Sequence, residues 1–179
     1  LRVTFVVTEA EYDTGAGDFY TAMELGQALR DAYSWEVMFA SHTQNSMDAT
    51  DVLGVMRHDF PIHKIRANNP GLVTVAWVRN RADEWLSAGK VDGYDLRFCS
   101  SLKSAQFLEG QGAGPCAVMP IATNPQRFRS LGRPRDAATV CFTGSYWGDQ
   151  RDALSMLDGS GIRVAVHGKG REPVDRHRD

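Results

Sequence analysis

The sequence predicts an α/β protein built on a doubly wound parallel sheet. Two observations carry that expectation: short, β-branched apolar runs recur along the chain, and they alternate with segments whose apolar residues recur at helical spacing. A third gives the sheet a functional edge. Polar clusters follow the C-terminal ends of the runs, and in open parallel sheets ligands bind outside those ends.

The first run, Leu1–Thr8, has the composition of a strand buried on both faces. An acidic loop from Glu9 leads to Gly15-Ala16-Gly17, after which Asp18 stands where it can cap a helix carrying Phe19, Ala22, Met23, Leu25, Ala28 and Leu29 on one face. Strand, glycine loop and helix form a βα unit. Trp35–Ala40 reads as the second strand, and the polar residues from His42 to Thr50 as a loop. Asp51–Met56 is the third strand, ending in Arg57-His58-Asp59, and Leu72–Val78 the fourth, ending in Arg79-Asn80-Arg81. A short helix follows at Ala82–Ala88 with Trp85 and Leu86 facing inward. Tyr94–Cys99 is the fifth strand, Ser100-Ser101 caps the helix Leu102–Glu109, and Gly110–Pro115 ends it.

The run Cys116–Met119 then stops at Pro120, and Asn124-Pro125 opens a segment with four arginines between Arg127 and Arg135. Proline lacks the donor that a central ladder needs and pushes its predecessor toward extended backbone, so the chain is leaving one packed unit here. The arginines read as the charge of a solvated linker. A second α/β unit opens at Thr139–Phe142, continues through Gly144-Ser145 and a helix at Gln150–Leu157, and reaches another strand at Ile162–His167. It ends too soon to close a core. The expected organisation is therefore a domain over 1–124, a hinge over 125–138, and the incomplete start of another domain over 139–179. Leu1 stands where an initiator Met would, and the tail is polar and unpatterned, so the chain reads as a piece of a longer protein.

Composition excludes several classes. In 179 residues, 42% hydrophobic and 23% charged content is ordinary for a globular protein, and a net charge of −2 gives no basis for a nucleic-acid surface. No apolar run approaches the roughly 20 residues of a membrane span. The start lacks the layout of a signal peptide, and a cytoplasmic location is expected. Cys99, Cys116 and Cys141 are far apart in sequence and each lies in an apolar run, which fits free buried thiols of a reducing compartment. The five histidines show no metal-ligand spacing, so no metal is expected.

The glycine loop at Gly15 and Gly17 fails the dinucleotide fingerprint, because Asp18-Phe19-Tyr20 follows where a third glycine belongs. It is also acidic. Each of Glu9, Glu11, Asp13 and Asp18 at about 4 Å would oppose an anion by roughly 1–4 kcal/mol, against about 0.3–1 kcal/mol offered by a helix N-terminus. A neutral, hydroxyl-rich ligand suits this loop better than a pyrophosphate, and a tight turn with no ligand is the other reading. The loop at Gly144-Ser145 has the opposite character, with no acid until Asp149 and Arg151 early in the next helix. Backbone N–H groups and a guanidinium can converge there on a diphosphate, or Arg151 can be a surface charge beside Asp149 and Asp152. His58-Asp59 is either a base with its orienting acid or a solvated loop, since adjacent residues on extended chain point apart.

Taken together, Met119-Pro120-Ile121-Ala122-Thr123-Asn124-Pro125-Gln126-Arg127-Phe128, Cys141-Phe142-Thr143-Gly144-Ser145 and Ile162–Gly170 resemble, in order and spacing, the inter-domain run, donor-domain opening and second donor-domain strand of GT-B glycosyltransferases. The similarity is to the retaining group 1, family 4-like enzymes, and within them to the CgeB-like branch. It spans nearly the whole chain. It implies two Rossmann-like domains with the site in the cleft between them, and metal-independent transfer of a sugar from a nucleotide-diphosphate donor, a substrate rather than a cofactor, to an unknown carbohydrate, protein or lipid acceptor. By the same resemblance Gly144, Ser145, Arg151 and Gly168 bind the donor and Gly15 and Gly17 lie on the acceptor side, where His58 and Asp59 are added as the polar cluster at the end of the third strand. Asp18, Arg79 and Asn80 are the catalytic candidates. The sequence departs from the family where Ser145 replaces an arginine and where Arg79-Asn80 stand in the region of a fourth-strand histidine. The family's carboxylate-rich donor motif and nucleobase pocket would lie beyond residue 179, so this chain alone is expected to be inactive. A non-catalytic module that binds a saccharide or a partner is the alternative, and a nucleotide-dependent oxidoreductase or epimerase ranks behind it.

Overall fold

The computed structural model describes residues 1–44, 47, 49–129, 132, 139–143 and 163–167. The chain divides into two units, Leu1–Phe128 and Arg129–Asp179, with the boundary inside the segment read as a hinge.

Unit 1 is an α/β unit around a six-stranded sheet in which every pairing is parallel. Its strands are β1 (Arg2–Val7), β2 (Glu36–Ser41), β3 (Val52–Val55), β4 (Val73–Val78), β5 (Leu96–Cys99) and β6 (Ala117–Val118). The helices are α1 (Gly17–Tyr33), α2 (Ile62–Asn68), α3 (Ala82–Ser87) and α4 (Leu102–Gly110), with a 3-10 turn at Val91–Gly93. The spatial order is β2-β1-β3-β4-β5-β6. The chain steps from β1 to one side and then returns to the other, so the switch point lies between β1 and β3, where a crevice opens at the C-terminal edge of such sheets.

Successive residues of a strand face opposite sides, and the core divides accordingly. Val6, Val55, Ala76 and Val78 pack with Ile62 and Ile65 of α2, Trp85 of α3 and Leu108 of α4. On the other face Phe5, Val7, Met56 and Trp77 pack with Phe19 and Ala22 of α1. Among the described residues α1 is the one helix in this second cluster, and Val73 and Leu96 remain 42% and 50% exposed. Gly54 sits opposite Phe5 in the β1–β3 register, and a Cβ there would lie 2.8 Å from the ring, so the glycine lets the aromatic lie flat across the sheet.

The strands, α3 and α4 fall within two residues at their ends of where hydropathy put them, and α1 contains the expected apolar positions from Phe19 to Leu29 and runs on to Tyr33. The helix α2 was not anticipated. Its seven residues carry only Ile62 and Ile65 as buried apolar anchors, between Pro61 and the Asn69-Pro70 stop. Ser101 caps α4, accepting from the Ser104 N–H at 3.2 Å.

Unit 2 shows a parallel pair, β7 (Thr139–Thr143) with β8 (Arg163–His167), in register from Thr139↔Arg163 to Thr143↔His167. The helix expected at 150–157 and the donor candidates Gly144, Ser145, Arg151 and Gly168 lie outside the described residues.

Candidate functional site

The residues after β1, β3 and β4 meet at the switch-point edge of unit 1. The strand β1 hands over to Thr8, and the loop beyond it turns through Asp13 at φ 68° and Gly15 at φ 75° before α1 begins. Gly15 therefore has a backbone reason to be glycine. Gly17 has none: its φ is not in the left-handed region, and a Cβ there would meet open space.

Asp18 does not cap α1. The N-cap position is Ala16, without a side-chain cap bond, and Asp18 is the second residue of the helix. Its carboxylate instead folds back onto the end of β1, where Oδ2 accepts from the Thr8 N–H and the Thr8 hydroxyl, both at 2.7 Å, while Oδ1 accepts from the Phe19 N–H at 3.1 Å. At 4% exposure it is a buried, almost fully engaged carboxylate in the first turn of a helix, where the helix dipole favours negative charge. The same loop is held to β2: the Ser41 hydroxyl accepts from the Ala10 N–H at 3.0 Å, and His42 Nδ1 lies 2.8 Å from the Thr8 carbonyl.

Beyond β3, His58 and Asp59 do not pair with each other. Arg57 grips Asp59 with both arms of its guanidinium, Nε to Oδ1 at 3.0 Å and Nη2 to Oδ2 at 2.6 Å, and its Nη1 reaches the Thr8 hydroxyl at 3.4 Å. His58 turns to Glu84 of α3, with Nδ1 3.4 Å from Oε2. The split follows from geometry, since neighbours on extended chain face apart while residues two apart share a side. Lys90 Nζ donates to the Asp59 carbonyl at 2.9 Å, tying the loop to the far side of α3. At the end of β4, Arg79 is half-buried and Asn80 exposed, and the Ser100 hydroxyl donates to the Arg79 carbonyl at 2.6 Å.

The fork from Arg57 holds the Asp59 carboxyl below the ordinary carboxylate range, and it outweighs the opposing effect of burial. Asp59 therefore adds stability above its unfolded pKa of about 4, and loses that contribution as pH falls through its lowered native value. A carboxyl-carbon NMR titration is expected to show Asp59 protonating below the ordinary range, and Arg57→Gln to move that midpoint upward. Burial pushes Tyr94 up, as does the Asp59 charge, so its hydroxyl stays protonated; it is enclosed with no hydrogen-bond partner. Burial also raises Cys99, to about 12, and its neighbour Cys116, which directly precedes β6; both are free thiols. Among the described residues no group of three or more His, Cys, Asp or Glu is placed to hold a metal ion, and no helix is long and apolar enough to cross a membrane.

Six of the seven predicted residues of unit 1 fall at or beside this edge in two sets, Gly15 on the β1 loop with Gly17 and Asp18 at the start of α1, and His58, Asp59 and Arg79 beyond β3 and β4; the seventh, Asn80, is exposed beside Arg79. Thr8 and Arg57, to which no role was assigned, join the two sets. The Thr8 hydroxyl bonds to Asp18 on one side and to Arg57 on the other. A cavity of about 780 Å³ lies elsewhere, between α1 and residues 119–128, with Tyr20, Glu24, Trp77, Met119, Asn124 and Phe128 in its walls, and none of the predicted site residues lines it.

No protein-family description matches this sequence, and no curated protein resembles it significantly. The site is therefore interpreted on its own geometry.

Proposed function

We propose that the chain is the acceptor-side unit and the opening of the donor unit of a GT-B type glycosyltransferase, which moves a sugar from a nucleotide-diphosphate donor to a hydroxyl-bearing acceptor. The observation that carries this reading is the switch-point edge. There a carboxylate, a threonine hydroxyl and a carboxylate-paired arginine form one hydrogen-bonded row from Asp18 through Thr8 and Arg57 to Asp59. Such a row offers hydroxyl-binding groups of both kinds with little net charge, which suits a sugar and does not suit a pyrophosphate.

In this reading the engaged Asp18 positions Thr8 and the β1 loop rather than attacking anything itself. Arg57 and Asp59 hold acceptor hydroxyls. The diphosphate is taken up by the Gly144-Ser145 loop and Arg151, where positive charge and backbone N–H groups stabilise the leaving phosphate. The test is a calorimetric titration of nucleotide-diphosphate sugars into the complete protein, with its whole donor unit, and into its Arg151→Ala variant. Binding to the parent chain with affinity lowered about 10-fold or more in the variant is expected, since a hydrogen bond to a charged group is worth about 1.5–3 kcal/mol. Equal affinity of the two proteins would sink the donor-side assignment.

One observation favours a second reading, a saccharide-binding module without catalysis. Asp18, the only carboxylate among the catalytic candidates, is buried and already accepts three hydrogen bonds, which leaves it poorly placed as a base. Binding of saccharides without any binding of nucleotide sugars would select that reading.

A further inference from the structure

Five arginines of unit 1 are half-buried: Arg30, Arg57, Arg66, Arg79 and Arg97. Four of them spend their guanidinium on the protein itself. Arg30 donates to the Val37 carbonyl at 2.6 Å, Arg57 to Asp59, Arg66 to the Gly93 carbonyl at 2.8 Å with Asp95 2.9 Å away, and Arg97 to the carbonyls of Val91 and Asp92. Arg79 does not. Its Nε is shut off from solvent with no hydrogen-bond partner, and among the described residues no carboxylate lies within ion-pair distance of it.

This is not a loose side chain on a surface loop. The two residues before it, Trp77 and Val78, are buried in opposite halves of the core, and the Ser100 hydroxyl fixes its carbonyl at 2.6 Å. A guanidinium carries five donors and is never deprotonated in ordinary conditions, so an enclosed Nε–H without an acceptor is a cost the fold bears for no internal return. Burial lowers the Arg79 pKa, and the more distant Asp18 charge only partly opposes it. The position is also specific. Arg79 directly follows β4, two strands from β1 in the sheet order, hence about 10 Å from the Thr8–Asp18 end of the crevice. Arg57, between them, is already neutralised by Asp59.

We infer that Arg79 is the seat of a single oxyanion, and that the acceptor is a polyol carrying one phosphate or carboxylate group, its hydroxyls toward Thr8 and Arg57 and its anion on Arg79. One unspent guanidinium matches one such group. The acidic residues of the β1 loop, Glu9, Glu11 and Asp13, stand at the other end and oppose a second anion there. The word acceptor rests on the transfer reading, whereas the anion seat rests on Arg79 alone.

The test follows the arginine Nε–H signals of the 179-residue chain by proton–nitrogen NMR. Inorganic phosphate, acetate, glucose 6-phosphate, gluconate and glucose are titrated in turn. The Arg79 signal is expected to shift saturably with the anions and not with glucose, while the Arg97 signal, whose Nε–H is tied to the Val91 carbonyl outside the proposed site, serves as the internal control. The tighter of the phosphate and carboxylate arms identifies the oxyanion. Arg79→Gln is expected to weaken binding of the sugar phosphate or sugar acid roughly 10- to 100-fold, with the Arg97 signal at its parent position as proof of fold. Arg79→Lys, which keeps the charge, is titrated beside it, so that loss of fold in one variant does not remove the comparison. No saturable shift at Arg79 with any anion, or anion affinity unchanged in a folded variant, overturns the inference. Those results are independent of the nucleotide-sugar titration, so the anion seat can fail while transfer stands, and the reverse.

Discussion

Phe60→Ala is expected to lower the unfolding free energy of unit 1 by about 3–5 kcal/mol, the range for emptying a fully enclosed aromatic site. Phe60 has no solvent exposure and shares its core with Val55, Ile62, Ile65 and Trp85. Those neighbours belong to a strand and two helices, which cannot all move inward to fill the space of a lost ring. A domain of this kind has about 5–15 kcal/mol to lose, so the change consumes about a fifth or more of it. The consequence reaches the site as well, because Phe60 directly follows Asp59 and anchors the loop that presents the Arg57–Asp59 fork. Urea unfolding followed by tryptophan fluorescence gives the measurement, read as a lower midpoint at unchanged slope. A loss below about 1 kcal/mol would mean that the loop repacks, and the packing argument would be wrong.

Asp18→Ala is expected to cost about 2–4 kcal/mol, through donors rather than through a cavity. The substitution strands the Thr8 N–H and the Thr8 hydroxyl proton at a place where Asp18 itself is 4% exposed, while the Phe19 N–H keeps the Ala16 carbonyl at 3.1 Å. Asp18→Asn keeps one acceptor oxygen and is expected to lose less. Hydrogen exchange separates this mechanism from general weakening: the Thr8 amide is expected to exchange at least 10-fold faster in the alanine variant, with amides in the middle of α4 slowed or hastened only by the global change. Thr8 protection identical to the parent chain would show that the carboxylate does not hold the loop.

The sheet was legible because buried parallel strands leave a simple mark, a run of β-branched residues such as Val73–Val78 bounded by polar ones. The helix α2 left almost none. Two isoleucines three residues apart do not make a period, and the helix exists because Ile62 and Ile65 both insert into the core, a fact about the rest of the fold. The site divides the same way. That polar residues would gather after β1, β3 and β4 follows from the topology, but their partners do not. Asp18 beside a helix start reads as a cap, and only the return of the chain over β1 brings Thr8 within 2.7 Å. His58 and Asp59 read as a pair because they are adjacent, and the fold gives one to Glu84, 26 residues later, and the other to Arg57. The unspent Arg79 carries no sequence signal at all, since lack of a partner shows only once every possible partner has been placed.

Glu24, in the middle of α1, has a mechanical consequence. Its two carboxylate oxygens are taken by Asn124 and by Arg127, the latter at 3.1 Å, so the final residues of unit 1 are clasped to the helix rather than to the short strand β6 that precedes them. A force applied to the chain at Phe128 therefore enters a rod of 17 residues, about 25 Å long, whose far end carries Asp18. The clasp makes α1 the lever through which the exit of unit 1 is coupled to the Asp18–Thr8 end of its sheet.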